Sequence, residues 1–190
     1  MRIVGGDFRG RALVAPSGRE TRPTADRLRQ TVFDILAQGG HGDGVKGARV
    51  LDLFAGTGAL GLEALSRGAA YALFIEEAVA ARGAIRSNIE ALGLTGRTRV
   101  FRRDATRLGP AGTVAPFTLV FADPPYGKGL GEQALASALA GGWLAPDALI
   151  VVEESAAAEI GAIAGLQLIE TRRVAETQII FLRAGRAATG

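Results

Sequence analysis

Asp52, Glu76, Asp104 and Asp123 each stand at the end of a short apolar run or just beyond it, where a carboxylate can meet a ligand. Asp52 begins the passage Asp52-Leu53-Phe54-Ala55-Gly56-Thr57-Gly58-Ala59-Leu60-Gly61, which reads as a strand running through a glycine-rich loop into a helix. Gly56, Gly58 and Gly61 make a formal G-x-G-x-x-G, and Glu76 falls 20 residues after Gly56, so a dinucleotide-binding fingerprint is satisfied. Electrostatics argue against a dinucleotide. Its pyrophosphate would sit on the first glycine and the helix N-terminus, whereas here Asp52 stands beside the loop, repelling an anion and attracting a cation. S-adenosylmethionine carries a sulfonium and an ammonium. On this reading Glu76 receives the ribose hydroxyls, and Asp104, in Arg103-Asp104-Ala105, accepts from the adenine amino group. Taken singly, each acid could be a helix cap or a surface charge; in this order they suit a cationic nucleoside. The expected cofactor site is Asp52, Phe54, Gly56, Gly58, Glu76, Asp104 and Ala105.

A second motif, Asp123-Pro124-Pro125-Tyr126, follows the apolar run Phe117–Ala122. Two prolines alone would suggest a rigid turn. The leading aspartate adds chemistry. An exocyclic amine on a nucleic-acid base is a weak nucleophile, because its lone pair is delocalised into the ring. Acceptors that take its two N–H bonds draw the nitrogen towards sp³ geometry. The Asp123 carboxylate can be one acceptor and the Pro124 carbonyl the other, with Pro124 and Pro125 fixing the direction of the turn. Tyr126 offers a ring for base stacking. Methyl transfer to such an amine is an in-line displacement, so catalysis should come mostly from positioning.

The 190 residues suit one domain. The absence of cysteine excludes disulfides, thiolate metal sites and thiol nucleophiles. A lone histidine, His41, reads as a loop residue in Gly39-Gly40-His41-Gly42, so no metal site is expected. No apolar run is long enough to span a membrane, and a soluble cytoplasmic monomer is the expectation. The net charge is only +3, yet residues 1–30 hold seven arginines against three acids, a local +4. A basic end on a neutral body is the footprint expected for phosphate contact.

The elements that must position these groups alternate between strand and helix. A β-prone pair, Arg2–Gly5 and Arg11–Ala15, precedes a helix from a Thr24 cap to about Gln38, with Leu28, Val32, Ile35 and Leu36 as its apolar stripe. Strands follow at Arg49–Phe54, Tyr71–Glu76, Arg99–Arg103, Phe117–Ala122 and Ala148–Glu153, with helices at Ala59–Arg67, Val79–Leu92 and Leu130–Ala140. A short helix near Ala156–Ile163 leads to an antiparallel pair, Gln167–Val174 and Thr177–Leu182. This pattern predicts an α/β fold: a mostly parallel seven-stranded sheet with helices on both faces. Residues 1–46 form an extension packed on a core domain of residues 47–190.

Together these residues resemble the RsmD family of bacterial ribosomal RNA methyltransferases, which methylate guanine N2 in 16S rRNA. The resemblance rests on Arg2-Ile3-Val4-Gly5-Gly6, Arg9-Gly10-Arg11, Arg22-Pro23-Thr24-Ala25-Asp26-Arg27, Phe33-Asp34-Ile35-Leu36, the Asp52–Gly58 loop and Asp123-Pro124-Pro125-Tyr126. It implies a class I, Rossmann-like methyltransferase fold and an N-terminal extension facing RNA through Arg9, Arg11, Arg22, Thr24 and Arg27. The implied partner is 16S rRNA, within an assembled or assembling 30S subunit. The Asp-Pro-Pro-Tyr type of turn is shared with DNA amino methyltransferases acting on adenine N6 or cytosine N4, which form the alternative. A non-catalytic NAD or nucleotide-binding module is a further one, and it would leave that turn unexplained.

Overall fold

Val50 and Leu51 lie side by side in the first strand of the sheet and point to opposite faces, each fully buried. A strand covered on both faces needs no polar alternation, which is why these strands read as continuous apolar runs. The computed structural model describes residues 1–16, 23–38 and 43–185, so Arg22 and His41 lie outside the described residues, as does the side chain of Thr24. The elements are α1 (Pro23–Gln38), β1 (Arg49–Leu53), α2 (Ala59–Ser66), β2 (Tyr71–Ile75), α3 (Val79–Ala91), β3 (Thr98–Phe101), β4 (Phe117–Ala122), α4 (Leu130–Ala140), β5 (Leu144–Ser155), β6 (Leu166–Val174) and β7 (Thr177–Ala184).

The seven strands form one sheet in the order β3-β2-β1-β4-β5-β7-β6. The first five pair in parallel, while β7 runs antiparallel to both β5 and β6. The order runs outward from β1 to β3 and then returns to β4, so the β1/β4 junction is the switch point beyond which a ligand site is expected. One face carries a core of Ile3, Phe33, Leu62, Phe74, Ile85 and Phe121. The other carries Leu51, Ile75, Leu135, Ile150 and Trp143.

Three local expectations are corrected. Helix α1 begins at Pro23, one residue before the expected Thr24 cap; proline suits the first helical position, where its missing N–H has no partner to lose. Its most buried residues are Arg29, Val32, Phe33 and Leu36, whereas Leu28 and Ile35 are only partly buried. The rotation follows from Phe33 packing on Phe121, ring centroids 5.6 Å apart, and from a buried partner for Arg29. The helix expected near Ala156–Ile163 is absent. The Ala156 amide instead donates to the Glu176 carbonyl, and the Gln178 side chain takes the carbonyls of Ser155 and Ala158, so tertiary partners claim the groups a helix would need.

That partner of Arg29 is Glu63 on α2, which is fully buried. Its carboxylate accepts from the amides of Val4 and Gly5 at 2.9 and 2.8 Å, from Arg67 Nε at 2.8 Å and from Arg29 Nε at 3.4 Å. Arg29 also bonds Asp26 at 2.8 Å and the carbonyl of Arg2. The N-terminal arm thus docks on α2, closing on itself through a single antiparallel bridge between Arg2 and Ala12. Gly6, at φ 75°, lets the arm lie on the end of α2: a Cβ there would sit 2.0 Å from the Ser66 carbonyl oxygen. Removing one member of a buried charge network leaves the rest uncompensated. Glu63→Ala should therefore lower stability by about 3–5 kcal/mol in urea unfolding. A loss near that of an ordinary surface mutation would show that the network contributes nothing to docking the arm.

Candidate active site at the carboxyl ends of the strands

Strand β1 ends at Leu53 because Phe54 takes φ 59°, the left-handed region that non-glycine residues rarely adopt. Strain of this kind, on the order of 1–3 kcal/mol, persists where neighbours over-determine the backbone. Here the Ala55 amide donates to the Ile75 carbonyl at 3.0 Å and the Gly56 amide to Glu76 Oε2 at 2.8 Å. Asp52 lies just before this loop, 1% exposed, with Oδ2 accepting from the Gly61 amide at 2.9 Å. Glycine is required at position 61, since a Cβ would stand 2.4 Å from the Phe74 ring.

Burial pushes the Asp52 carboxyl well above its ordinary value; the Gly61 bond opposes this, while the charges of Asp123 and Glu76 add to it. Those last contributions mean that three acids, widely spaced in sequence, lie within electrostatic reach of one another. The second Glu76 oxygen accepts from the Ala78 amide at 2.8 Å.

A cleft of about 370 Å³ opens here. Of the expected residues, Phe54, Glu76, Ala105, Asp123, Pro124 and Pro125 line it, together with Ile75, Glu77 and Arg103, which sequence reasoning missed. Asp52, Gly56, Gly58, Asp104 and Tyr126 are not part of its lining. Asp104 has a structural duty as well: its Oδ1 accepts from the Thr106 amide at 2.8 Å and hydroxyl at 2.7 Å, capping the turn Ala105–Arg107. These bonds hold its carboxyl below the ordinary value.

After β4, Asp123 is exposed and Pro124 buried. The Tyr126 phenol donates to Glu153, and burial together with that carboxylate raises its pKa. Burial likewise raises that of Glu153. The next residue, Glu154, is buried and accepts from the Gly127 amide at 3.0 Å. The turn is thus clamped by two acids of β5. Their signal in the sequence is an acid pair closing the apolar run Ala148–Val152, where an unpartnered charge would be costly.

Of the arginines expected to face RNA, Arg9, Arg11 and Arg27 are exposed. Arg11 also donates to the Ala91 carbonyl at the end of α3, at 2.9 Å. Arg22 and the Thr24 side chain lie outside the described residues. The arm reaches the glycine-rich loop through Asn88, buried on α3, which accepts from the Val14 amide at 2.7 Å and donates to the carbonyls of Val14 and Thr57.

The family model described as Conserved hypothetical protein 95 matches residues 1–183. Ribosomal RNA small subunit methyltransferase D of Escherichia coli (strain K12) is 44% identical over 154 residues, covering 80% of this chain and 74% of that protein. The putative rRNA methyltransferase YlbH of Bacillus subtilis (strain 168) is 41% identical over 128 residues, covering 66% of this chain and 67% of its own. Among solved structures, the putative methyltransferase yhhF from Escherichia coli matches with a TM-score of 0.82 at 36% identity, over 98% of this chain and 99% of that one. The fold is that of the class I methyltransferases.

The buried Asp52 carboxyl sets a pH dependence. Its folded-state pKa lies above the unfolded value of 3.8, so the folded chain holds this proton more tightly. Stability is then complete below the ordinary aspartate range and declines as pH rises from that range towards the folded pKa. Asp52→Asn keeps an acceptor for Gly61 and escapes the decline. Without added ligand, urea midpoints of the two proteins should nearly coincide at about pH 3 and separate in favour of the variant by about pH 7. A variant no more stable at pH 7 would mean that Asp52 ionises without penalty.

Proposed function

The chain belongs to the family of ribosomal RNA small subunit methyltransferase D, and from that premise we propose that it transfers a methyl group from S-adenosylmethionine to the exocyclic N2 amino group of a guanine in 16S rRNA. The observation that carries this reading is the gathering of acids about one cleft: Glu76 and Asp123 line it, and the buried Asp52 lies within electrostatic reach of both. A buried carboxyl among other acids suits a cationic ligand, which relieves its burial, and disfavours an anionic pyrophosphate.

Asp52 and the Phe54–Gly58 loop would hold the cationic end of the cofactor. Both Glu76 oxygens already accept one amide each, and each keeps a further lone pair for ribose hydroxyls. Asp104, whose Oδ1 serves the turn, has Oδ2 for the adenine amino group, with Ala105 beside it in the cleft wall. When bound, the cofactor supplies an electrophilic methyl group. The chain's own task is to orient the amine. The Asp123 carboxylate and the Pro124 carbonyl accept its N–H bonds, and the Tyr126 ring, tethered through its phenol to Glu153, offers a stacking surface worth about 1–3 kcal/mol per base. Arg9, Arg11, Arg22, Thr24 and Arg27 contact RNA on the arm's side, with the 30S particle as the form in which the RNA is met.

Tritiated S-adenosylmethionine incubated with 30S subunits, naked 16S rRNA or DNA should label an RNA substrate at guanine N2; label on DNA adenine or cytosine would overturn the reading. If Asp123 acts as an acceptor, proton loss can follow transfer, once the nitrogen is cationic and acidic. Asp123→Ala should then lose at least ~10²-fold in kcat, as for one preorganised polar group, and Asp123→Asn less, since it keeps a carbonyl. Single-turnover rates on 30S subunits at saturating cofactor would check this, and equal losses would point to a charged base instead. Asp104→Ala should weaken cofactor binding by roughly 1.5–3 kcal/mol in calorimetry. Unchanged affinity in a folded variant would leave Asp104 as a cap alone.

A further inference from the structure

Residues 97–107 contain Arg97, Arg99, Arg102, Arg103 and Arg107 against one acid, Asp104, in a chain whose net charge is only +3. All five arginines are exposed. Among the described residues none of them is in a salt bridge with an acid. Asp104, beside Arg107 and with its Oδ1 turned to Thr106, leaves the segment with a local charge of +4.

Strand β3 is an edge of the sheet, and a charged edge residue commonly blocks pairing with another chain. Arg99, within the strand, could serve that purpose. Arg102, Arg103 and Arg107 cannot, since they follow Phe101, the strand's last residue, at the end of the sheet where the cleft opens. Arg103 lines the cleft itself. Its guanidinium is held by the Leu108 carbonyl at 2.7 Å and lies 5.4 and 5.5 Å from the ring centroids of Phe101 and Trp143. A guanidinium fixed in this way has less freedom left to lose when its remaining donors take up a ligand.

Position relative to the arm completes the case. The arm, with Arg9 and Arg11, packs on the sheet face that carries Ile3, Leu13 and Phe33. Phe101, Leu108 and Trp143 belong to the opposite face. Arg103 thus lies against the face of the sheet that the arm leaves uncovered, and it brings basic charge to the cleft that the arm does not supply.

We propose that Arg99, Arg102, Arg103 and Arg107 form a second phosphate-binding surface, which holds the RNA backbone on the far side of the base that enters the cleft. This rests on the RNA-methylating function proposed above. An RNA strand whose base enters the cleft meets this surface as it leaves the carboxyl ends of the sheet, and its phosphates displace counterions there.

The test uses the full chain carrying Arg99→Gln, Arg102→Gln and Arg107→Gln together, with Arg103 kept because it lines the cleft. Binding of a 16S rRNA transcript is measured between about 50 and 200 mM salt. Three lost contacts should reduce the log–log salt slope by about two, so that the fourfold rise in salt weakens the variant roughly 15-fold less than the parent. S-adenosylmethionine affinity and the unfolding midpoint should not change. The single charge reversal Arg102→Glu, at an exposed residue, should move the slope in the same direction. An unchanged slope in both variants, with the parent binding and methylating RNA, overturns this surface alone. A parent that neither binds nor methylates RNA overturns the proposed function as well.

Discussion

Glu63 carries a carboxylate into a region that water does not reach, and much of the first third of the chain is arranged to supply it with donors. Two backbone amides of the arm and two guanidinium groups surround it. Leaving such a charge unpaired would cost several kcal/mol, so the arm, α1 and α2 are held to one relative position. The glycines at 5 and 6 follow from the same demand, because a side chain there would collide with Arg67 or with the end of α2. Among the described residues no buried side-chain polar atom is left without a partner, as a closed network requires.

The helix that carries Glu63 also begins the site. Its third residue, Gly61, donates to Asp52, in the strand that ends where Phe54 turns to positive φ. One short helix therefore serves a charge on each side: the acid at the cleft through its first turn, and the acid under the arm through its second. Asn88 adds a direct link, since one side chain bonds both the arm at Val14 and the loop at Thr57. Shifting the arm would disturb the loop. The arm and the loop are coupled by packing.

The second half of the sheet contributes in a different way. Strands β5 and β7 pair antiparallel, which brings Glu154 opposite Gln178 and Ser155 opposite Thr177. Glu153 and Glu154 hold the turn after β4, so an aromatic ring that is 42% exposed is nonetheless tethered at its hydroxyl. A ring held at one end presents a face with little rotational freedom left to lose when a base stacks on it.

Strand and helix order as far as β5, the cover on both faces of the sheet, and the meeting of Glu76 and Asp123 at one candidate cleft were legible in the sequence. They depend on local periodicity and on the rule that ligands meet the carboxyl ends of parallel strands. The Phe117–Ala122 strand and the Leu130–Ala140 helix match the expected boundaries. Long-range pairing was not legible. Arg29 reads as one more basic residue until a buried acid 34 positions away turns it inward. The helix expected near Ala156–Ile163 is lost because Gln178 and Glu176 take its backbone groups. The arginines of residues 97–107 are neighbours in the sequence, but their place at the sheet edge beside the cleft shows only in the folded chain. Periodicity is a property of neighbours in sequence, so a sequence can carry it alone. Which charge is buried, which side chain is clamped and which acids share a cleft are decided by partners far apart in the chain, and only the folded structure brings those together.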